Sequence, residues 1–69
     1  MIWVTFNDES GVEYRVNVGQ IACVATIGTH KIKLRLSNAF EIVVDDEAEV
    51  KKISTAITTD HDLTSQQLF

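Results

Sequence analysis

The sequence has no proline and only three glycines in 69 residues, so it lacks the composition of a disordered linker or a low-complexity tract. Its one cysteine, Cys23, cannot form a disulfide within the chain, and this favours a reducing compartment. No apolar run approaches the ~18 residues that cross a bilayer, and the amino terminus has no signal-peptide charge pattern. We therefore expect a cytoplasmic protein with no membrane contact.

The residue constellations that carry catalysis are also missing. We find no nucleophile beside a base, no carboxylate pair placed for a cleft and no phosphate-binding glycine loop. Cys23 falls in the middle of an apolar segment, where we expect a small buried side chain. Asp60, His61 and Asp62 are consecutive residues, and three neighbours cannot close a metal coordination sphere. We predict a non-enzymatic protein with no catalytic residues, no cofactor and no metal.

Acidic residues outnumber basic ones by ten to six, which gives a net charge of −4. This balance counts against a protein whose main task is to wrap nucleic acid, although it is compatible with a local basic patch. A chain of 69 residues forms one domain near the lower size limit and buries only about 60% of the surface that its unfolded form exposes. Self-association would add to that burial.

The segment 31–44 predicts two strands joined by a tight turn. Its first half alternates between two kinds of side chain, as a strand with one buried face does: Ile32, Leu34 and Leu36 inward, with Lys31, Lys33 and Arg35 outward. Its second half repeats the apolar pattern. A three-residue loop, 37–39, is needed to keep the apolar side chains of both halves on the same face of the sheet. This register sets Arg35 opposite Glu41, and it gives Ala39 a left-handed conformation.

A helix follows this hairpin. Four carboxylates gather at its start, where they favour the positive end of the helix dipole: Asp45, Asp46, Glu47 and Glu49. Val50, Ile53 and Ile57 then recur on one side at helical spacing. We assign residues 1–57 to a single domain made of a β-meander and this helix, and residues 58–69 to a polar carboxy-terminal tail.

Two alternating segments near the amino terminus predict the first two strands. Pairing Phe6 with Val12 would place Trp3 opposite Arg15 on the outer face, within reach of a cation–π contact.

Residues 21–27 are apolar on both sides, which predicts a central strand with Cys23 and Ala25 inward and Val24 outward. The predicted fold class is α+β: a five-stranded antiparallel meander, either a curled sheet or a small SH3-like barrel, with one carboxy-terminal α-helix.

Two surfaces are candidates for binding. Outward apolar residues on a small sheet often mark an interface, and the predicted protein-binding residues are Trp3, Val24 and Val43, together with Leu68 and Phe69 at the end of the tail. The alternative is a nucleic-acid-binding surface formed by Arg15, Lys31, Lys33 and Arg35. A third hypothesis is a sensor that holds a small ligand between helix and sheet.

Residues 12–53 carry a recurring order of features. Asn17 precedes a break in the strand pattern, and an Ile-x-x-Ile-like pair, Ile21 with Val24, follows it. A strand then ends in Leu-x-Asn, at Leu36 with Asn38. Finally, acidic residues lead into a Val-x-x-Ile helix, in the segment Asp45 to Ile53. This order resembles the small flagellar-motility proteins of the FlbD/SwrD type and similar short phage-encoded proteins. Ala39 stands where glycine is usual, the loop 7–11 is longer, and the tail has no counterpart.

The resemblance implies a small cytoplasmic accessory protein that acts through contacts, with no catalytic residues to carry over. The leading hypothesis is a protein-interaction module that binds a larger assembly of a bacterium or its phage and forms a homodimer or a higher oligomer. Its protein partner is not identified by the sequence.

Overall fold

The computed structural model describes the backbone of residues 2–67 and the side chains of residues 2–61. Five strands precede one long helix, with a single 3-10 turn, Val18–Gln20, between the second and third strands: β1 Trp3–Asn7, β2 Glu13–Asn17, β3 Ile21–Gly28, β4 Lys31–Leu36, β5 Glu41–Val44 and α1 Glu47–Gln67. The predicted α+β class, with antiparallel strands and one carboxy-terminal helix, is confirmed.

The five strands form two sheets, not the single meander that the sequence predicted. β1 pairs with β2, and β3, β4 and β5 form a separate antiparallel sheet in that order. The break lies at the 3-10 turn, where the Asn17 side chain accepts a hydrogen bond of 2.8 Å from the Gly19 N–H. Val18 is buried there and its N–H donates to the Ile2 carbonyl, so the chain turns into the core before β3 begins. The sheets do not close into a barrel.

Both sheets and the helix contribute to one apolar core. Among the described side chains nine are buried in it, and those of β1, β2, β4 and β5 follow the predicted alternation: Val4, Phe6, Val16, Val18, Ile32, Leu34, Ile42, Val44 and Ile53. We call the side of the three-stranded sheet that carries Leu34 its core face and the opposite side its outer face. Trp3 and Arg15 also meet as predicted, with the guanidinium 5.7 Å from the ring centroid.

The register of the β1–β2 hairpin differs by two residues from the prediction. Phe6 pairs with Tyr14, where the sequence suggested Val12. The Asp8 side chain explains the longer loop, because it accepts hydrogen bonds from the Ser10 N–H, the Ser10 hydroxyl and the Val12 N–H at 2.8–2.9 Å. Desolvation raises the pKa of Asp8, but these hydrogen bonds outweigh it and hold the pKa below its ordinary value.

The β4–β5 hairpin matches the prediction. Arg35 pairs with Glu41, and the Leu36 N–H donates to the Phe40 carbonyl at 2.8 Å across a three-residue loop. Ala39 occupies the last loop position with a φ of 70°, in the left-handed region that favours glycine.

Replacing Ala39 by glycine should therefore leave stability unchanged or raise it by up to about 1 kcal/mol, because the Cβ penalty of the left-handed conformation is removed. Thermal and urea unfolding measure the change. The same substitution at Ala56, inside the helix, is the control and should cost about 1 kcal/mol. A loss at Ala39 as large as that at Ala56 would contradict the loop conformation.

β3 was predicted as a central strand, and this is wrong. It is the edge of its sheet, and every residue after Ile21 in it is exposed. A β-bulge between Ile21 and Cys23 shifts the register, so Val24 pairs with Leu34 and Ala25 with Lys33. Paired residues share a face, which puts Val24 on the core face and Ala25 on the outer face, the reverse of the predicted alternation. Cys23 is exposed, not buried.

The helix begins as predicted and ends later. The Glu49 N–H donates to the Asp46 carboxylate at 3.2 Å, and the Val50 N–H donates to the Asp46 carbonyl at 2.9 Å. Residues 58–67 continue the helix, where the sequence predicted a polar tail, because no glycine or proline interrupts them. Leu68 and Phe69 lie outside the described residues. Within the described part of the chain, no helix has the length and apolarity needed to cross a bilayer.

Candidate protein-interaction surface

β3 has an open edge, because one side of its backbone has no neighbouring strand among the described residues. The Leu36 N–H donates to the carbonyl of Phe40, the residue before β5, and the backbone groups of successive strand residues point alternately to the two neighbouring strands. The backbone N–H and C=O groups of Lys33 therefore point to β3, where Lys33 pairs with Ala25. It follows that the N–H and C=O groups of Val24 and Thr26 point away from the sheet, and no described strand pairs with them.

The side chains of β3 suit an interface. The strand has eight residues, none of them charged, and its sequence is Ile-Ala-Cys-Val-Ala-Thr-Ile-Gly. Val24 is 42% exposed, and Ile27 is also a large exposed apolar side chain. Soluble proteins usually protect an edge strand with charge, proline or a covering segment. β3 has none of these among the described residues.

The other strand edges are protected. β1 is also uncharged, but its free side faces the helix, and the Asn7 N–H donates to the Glu49 carboxylate at 3.2 Å. β2 carries Glu13 and Arg15. The Val43 carbonyl of β5 accepts a hydrogen bond of 2.9 Å from the Glu9 N–H, so the β1–β2 loop covers that edge. β3 is therefore the one described strand that is both uncharged and uncovered.

A groove of about 440 Å³ borders β3 on its core face. Its walls come from β3, from the turn before it and from the far half of the helix, including Ile21, Val24, Ile57, Asp60 and His61. A strand added to β3 would lie at the mouth of this groove, where its side chains on the core face meet apolar and polar groups together.

The predicted protein-binding residues do not share one surface. Val24 lies on the core face of β3, whereas Val43 pairs with Lys33 and lies half-buried on the outer face of β5. Trp3 is 52% exposed in the other sheet. It lines a second groove, of about 530 Å³, between β1 and the helix residues Lys51 and Lys52.

The basic residues are also divided between the sheets. Lys31, Lys33 and Arg35 lie along β4, while Arg15 lies in β2 with its guanidinium over Trp3. The Lys31 ammonium is 3.7 Å from the Glu9 carboxylate. Lys33 and Arg35 form no ion pair with any described side chain.

Sequence patterning identified Val24 but not the reason for its exposure. Residues 21–28 carry no charge although the next strand carries three basic residues, a pattern that is compatible with an uncovered edge strand. That pattern also fits a buried central strand, and only the strand pairing distinguishes the two.

Comparison with family models, curated proteins and solved structures found no match to this chain.

Proposed function

We propose that the protein is a small non-enzymatic interaction module that binds a protein by adding a strand to β3. The single observation that carries this proposal is the eight-residue, uncharged and uncovered edge of the three-stranded sheet. The proposal includes a cytoplasmic location and the role of an accessory protein that modulates a larger assembly of a bacterium or its phage. The resemblance to FlbD/SwrD-type proteins supports that role.

Strand addition supplies both affinity and selectivity. The outward backbone groups of Val24 and Thr26 offer two donors and two acceptors, and each hydrogen bond is worth about 0.5–1.5 kcal/mol net. Covering Val24 and Ile27 adds apolar burial at about 25 cal/mol per Å². The groove beside β3 discriminates among partner side chains, since alternate residues of an added strand would face it.

A second candidate function is binding of single-stranded nucleic acid. The observations in its favour are the unpaired cations Lys33 and Arg35 on the outer face and the Arg15 guanidinium over the exposed Trp3 ring. Such sites combine two elements: cations that follow the nucleic-acid backbone, and an aromatic ring on which a base stacks. Their separation between two sheets makes this the weaker proposal.

One capture experiment separates the two functions. The full chain with an amino-terminal tag is incubated with bacterial lysate, in nuclease-treated and untreated halves, and bound proteins are identified by mass spectrometry. Three forms are compared: the wild type, Val24→Lys, and Val12→Lys as a matched control, because Val12 is 49% exposed but lies outside β3.

The interaction proposal predicts a stoichiometric partner that survives nuclease, persists with Val12→Lys and falls at least about tenfold with Val24→Lys, because a charge is placed on the edge. A partner that is bound equally by both variants would refute the role of β3. If the captured proteins are lost after nuclease treatment, and also with the double variant Lys33→Glu and Arg35→Glu, the result would support nucleic-acid binding by the basic residues instead.

A further inference from the structure

We propose that β3 binds β3 of a second copy of the chain, antiparallel and about a twofold axis that passes beside Ala25. The two three-stranded sheets would then form one six-stranded sheet. This inference rests on the proposed function, because it names an occupant for the same edge.

The backbone of β3 selects the register of this pairing. The strand is irregular between Ile21 and Cys23 and between Thr26 and Gly28, which leaves a regular central segment, 23–26. Within that segment the outward N–H and C=O groups belong to Val24 and Thr26. An antiparallel pairing of Val24 with the partner's Thr26, repeated by symmetry, uses all of these groups in four hydrogen bonds.

The side chains at the twofold axis are small enough for this register. Ala25 would face the partner's Ala25 in a non-hydrogen-bonded pair, where the Cα atoms approach to about 4.5 Å. On the core face, Val24 would lie beside the partner's Thr26, and pairs of β-branched side chains stabilise antiparallel strands. No side chain of β3 larger than valine lies in the regular segment.

Charge does not oppose the pairing, although the chain as a whole is acidic. β3 brings no charged side chain to the edge, so no like charges meet across it. Within the three-stranded sheets, the nearest like charges are Lys33 and Arg35 of each β4, three strand spacings or about 14 Å apart. This distance exceeds the Debye length of about 8 Å at physiological ionic strength, so their repulsion is largely screened.

Sedimentation equilibrium of the untagged chain is the first test. The wild type should sediment at twice the 7.7 kDa chain mass at tens of micromolar, and Val12→Lys should do the same. Val24→Lys should raise the dimer dissociation constant at least about tenfold, since the lysines of the two copies would occupy diagonal strand positions about 7–8 Å apart and their like charges would repel each other. A wild type that is monomeric up to several hundred micromolar would overturn the inference.

Disulfide trapping tests the register. In a Cys23→Ser background, Ala25→Cys should form a covalent dimer under mild oxidation, because a Cα separation near 4.5 Å permits a disulfide. Thr5→Cys in the same background is the control, since Thr5 is an exposed strand residue of the other sheet. Equal cross-linking of the two variants would overturn the pairing, and circular dichroism establishes that both are folded.

The outcomes for the two proposals are distinguishable. A monomeric wild type whose captured partner is lost with Val24→Lys would overturn the dimer and retain strand addition by another protein. A dimer disrupted by Val24→Lys, with unchanged capture of other proteins, would support the dimer and refute the binding of those proteins at β3.

Discussion

Replacing Phe6 by alanine should lower the free energy of unfolding by about 3–5 kcal/mol, the range for removing a buried aromatic side chain. Phe6 lies in β1 with 1% of its surface exposed, and its ring stacks on Tyr14 at a centroid distance of 6.2 Å. Small domains unfold with about 5–15 kcal/mol in total, so this variant should be partly unfolded near 37 °C. Urea denaturation followed by circular dichroism measures the loss.

Phe40→Ala is the matched control for this prediction. Its ring is also near Tyr14, at 6.0 Å, but Phe40 is 47% exposed. Its removal leaves no closed cavity, and we expect a loss of about 1 kcal/mol. Equal losses at Phe6 and Phe40 would show that the ring cluster, and not burial, determines the contribution of Phe6.

Ile53→Ala should have the second large effect, a loss of about 2–5 kcal/mol. Ile53 is fully buried and is the one helix residue among the nine described side chains that form the core. Helical propensity cannot compensate for this contact, although alanine is the better helix former by a few tenths of a kcal/mol. The variant should lose its fixed tertiary packing before its helical signal.

Ile57→Ala tests the same chemical change one turn later. Ile57 is only partly buried, at the groove beside β3, and its loss should be about half of that at Ile53 or less. Chemical denaturation gives both values. A larger loss at Ile57 would mean that the far half of the helix, and not its middle, fastens it to the sheets.

Local patterns in the sequence predicted the parts of the fold that depend on neighbouring residues. Alternation alone placed Ile32 and Leu34 in the core, parity set the three-residue loop with a left-handed Ala39, and the Asp46 cap marked the start of the helix. The Trp3–Arg15 contact was also predicted, because a two-residue shift of register keeps both side chains on the same face.

Non-local features could not be predicted in this way. The separation of the sheets depends on the buried Val18 and its bond to Ile2, which no pattern within one strand reveals. The bulge after Ile21 inverts the faces of β3, and it has no glycine or proline to mark it. The candidate site was therefore predicted only in part: Val24 was chosen correctly as exposed, but it was grouped with Val43 on the wrong face.

The hydrogen bond from the Glu9 N–H to the Val43 carbonyl has a consequence for assembly. A sheet with two open edges can pair with a further strand at each edge and polymerise, as cross-β fibrils do. Here the loop between β1 and β2 covers one edge, so the three-stranded sheet can pair at one edge alone. Pairing of β3 with β3 of a second copy would therefore stop at two chains, because the loop covers the far edge of each three-stranded sheet even though the exposed strand is apolar and uncharged.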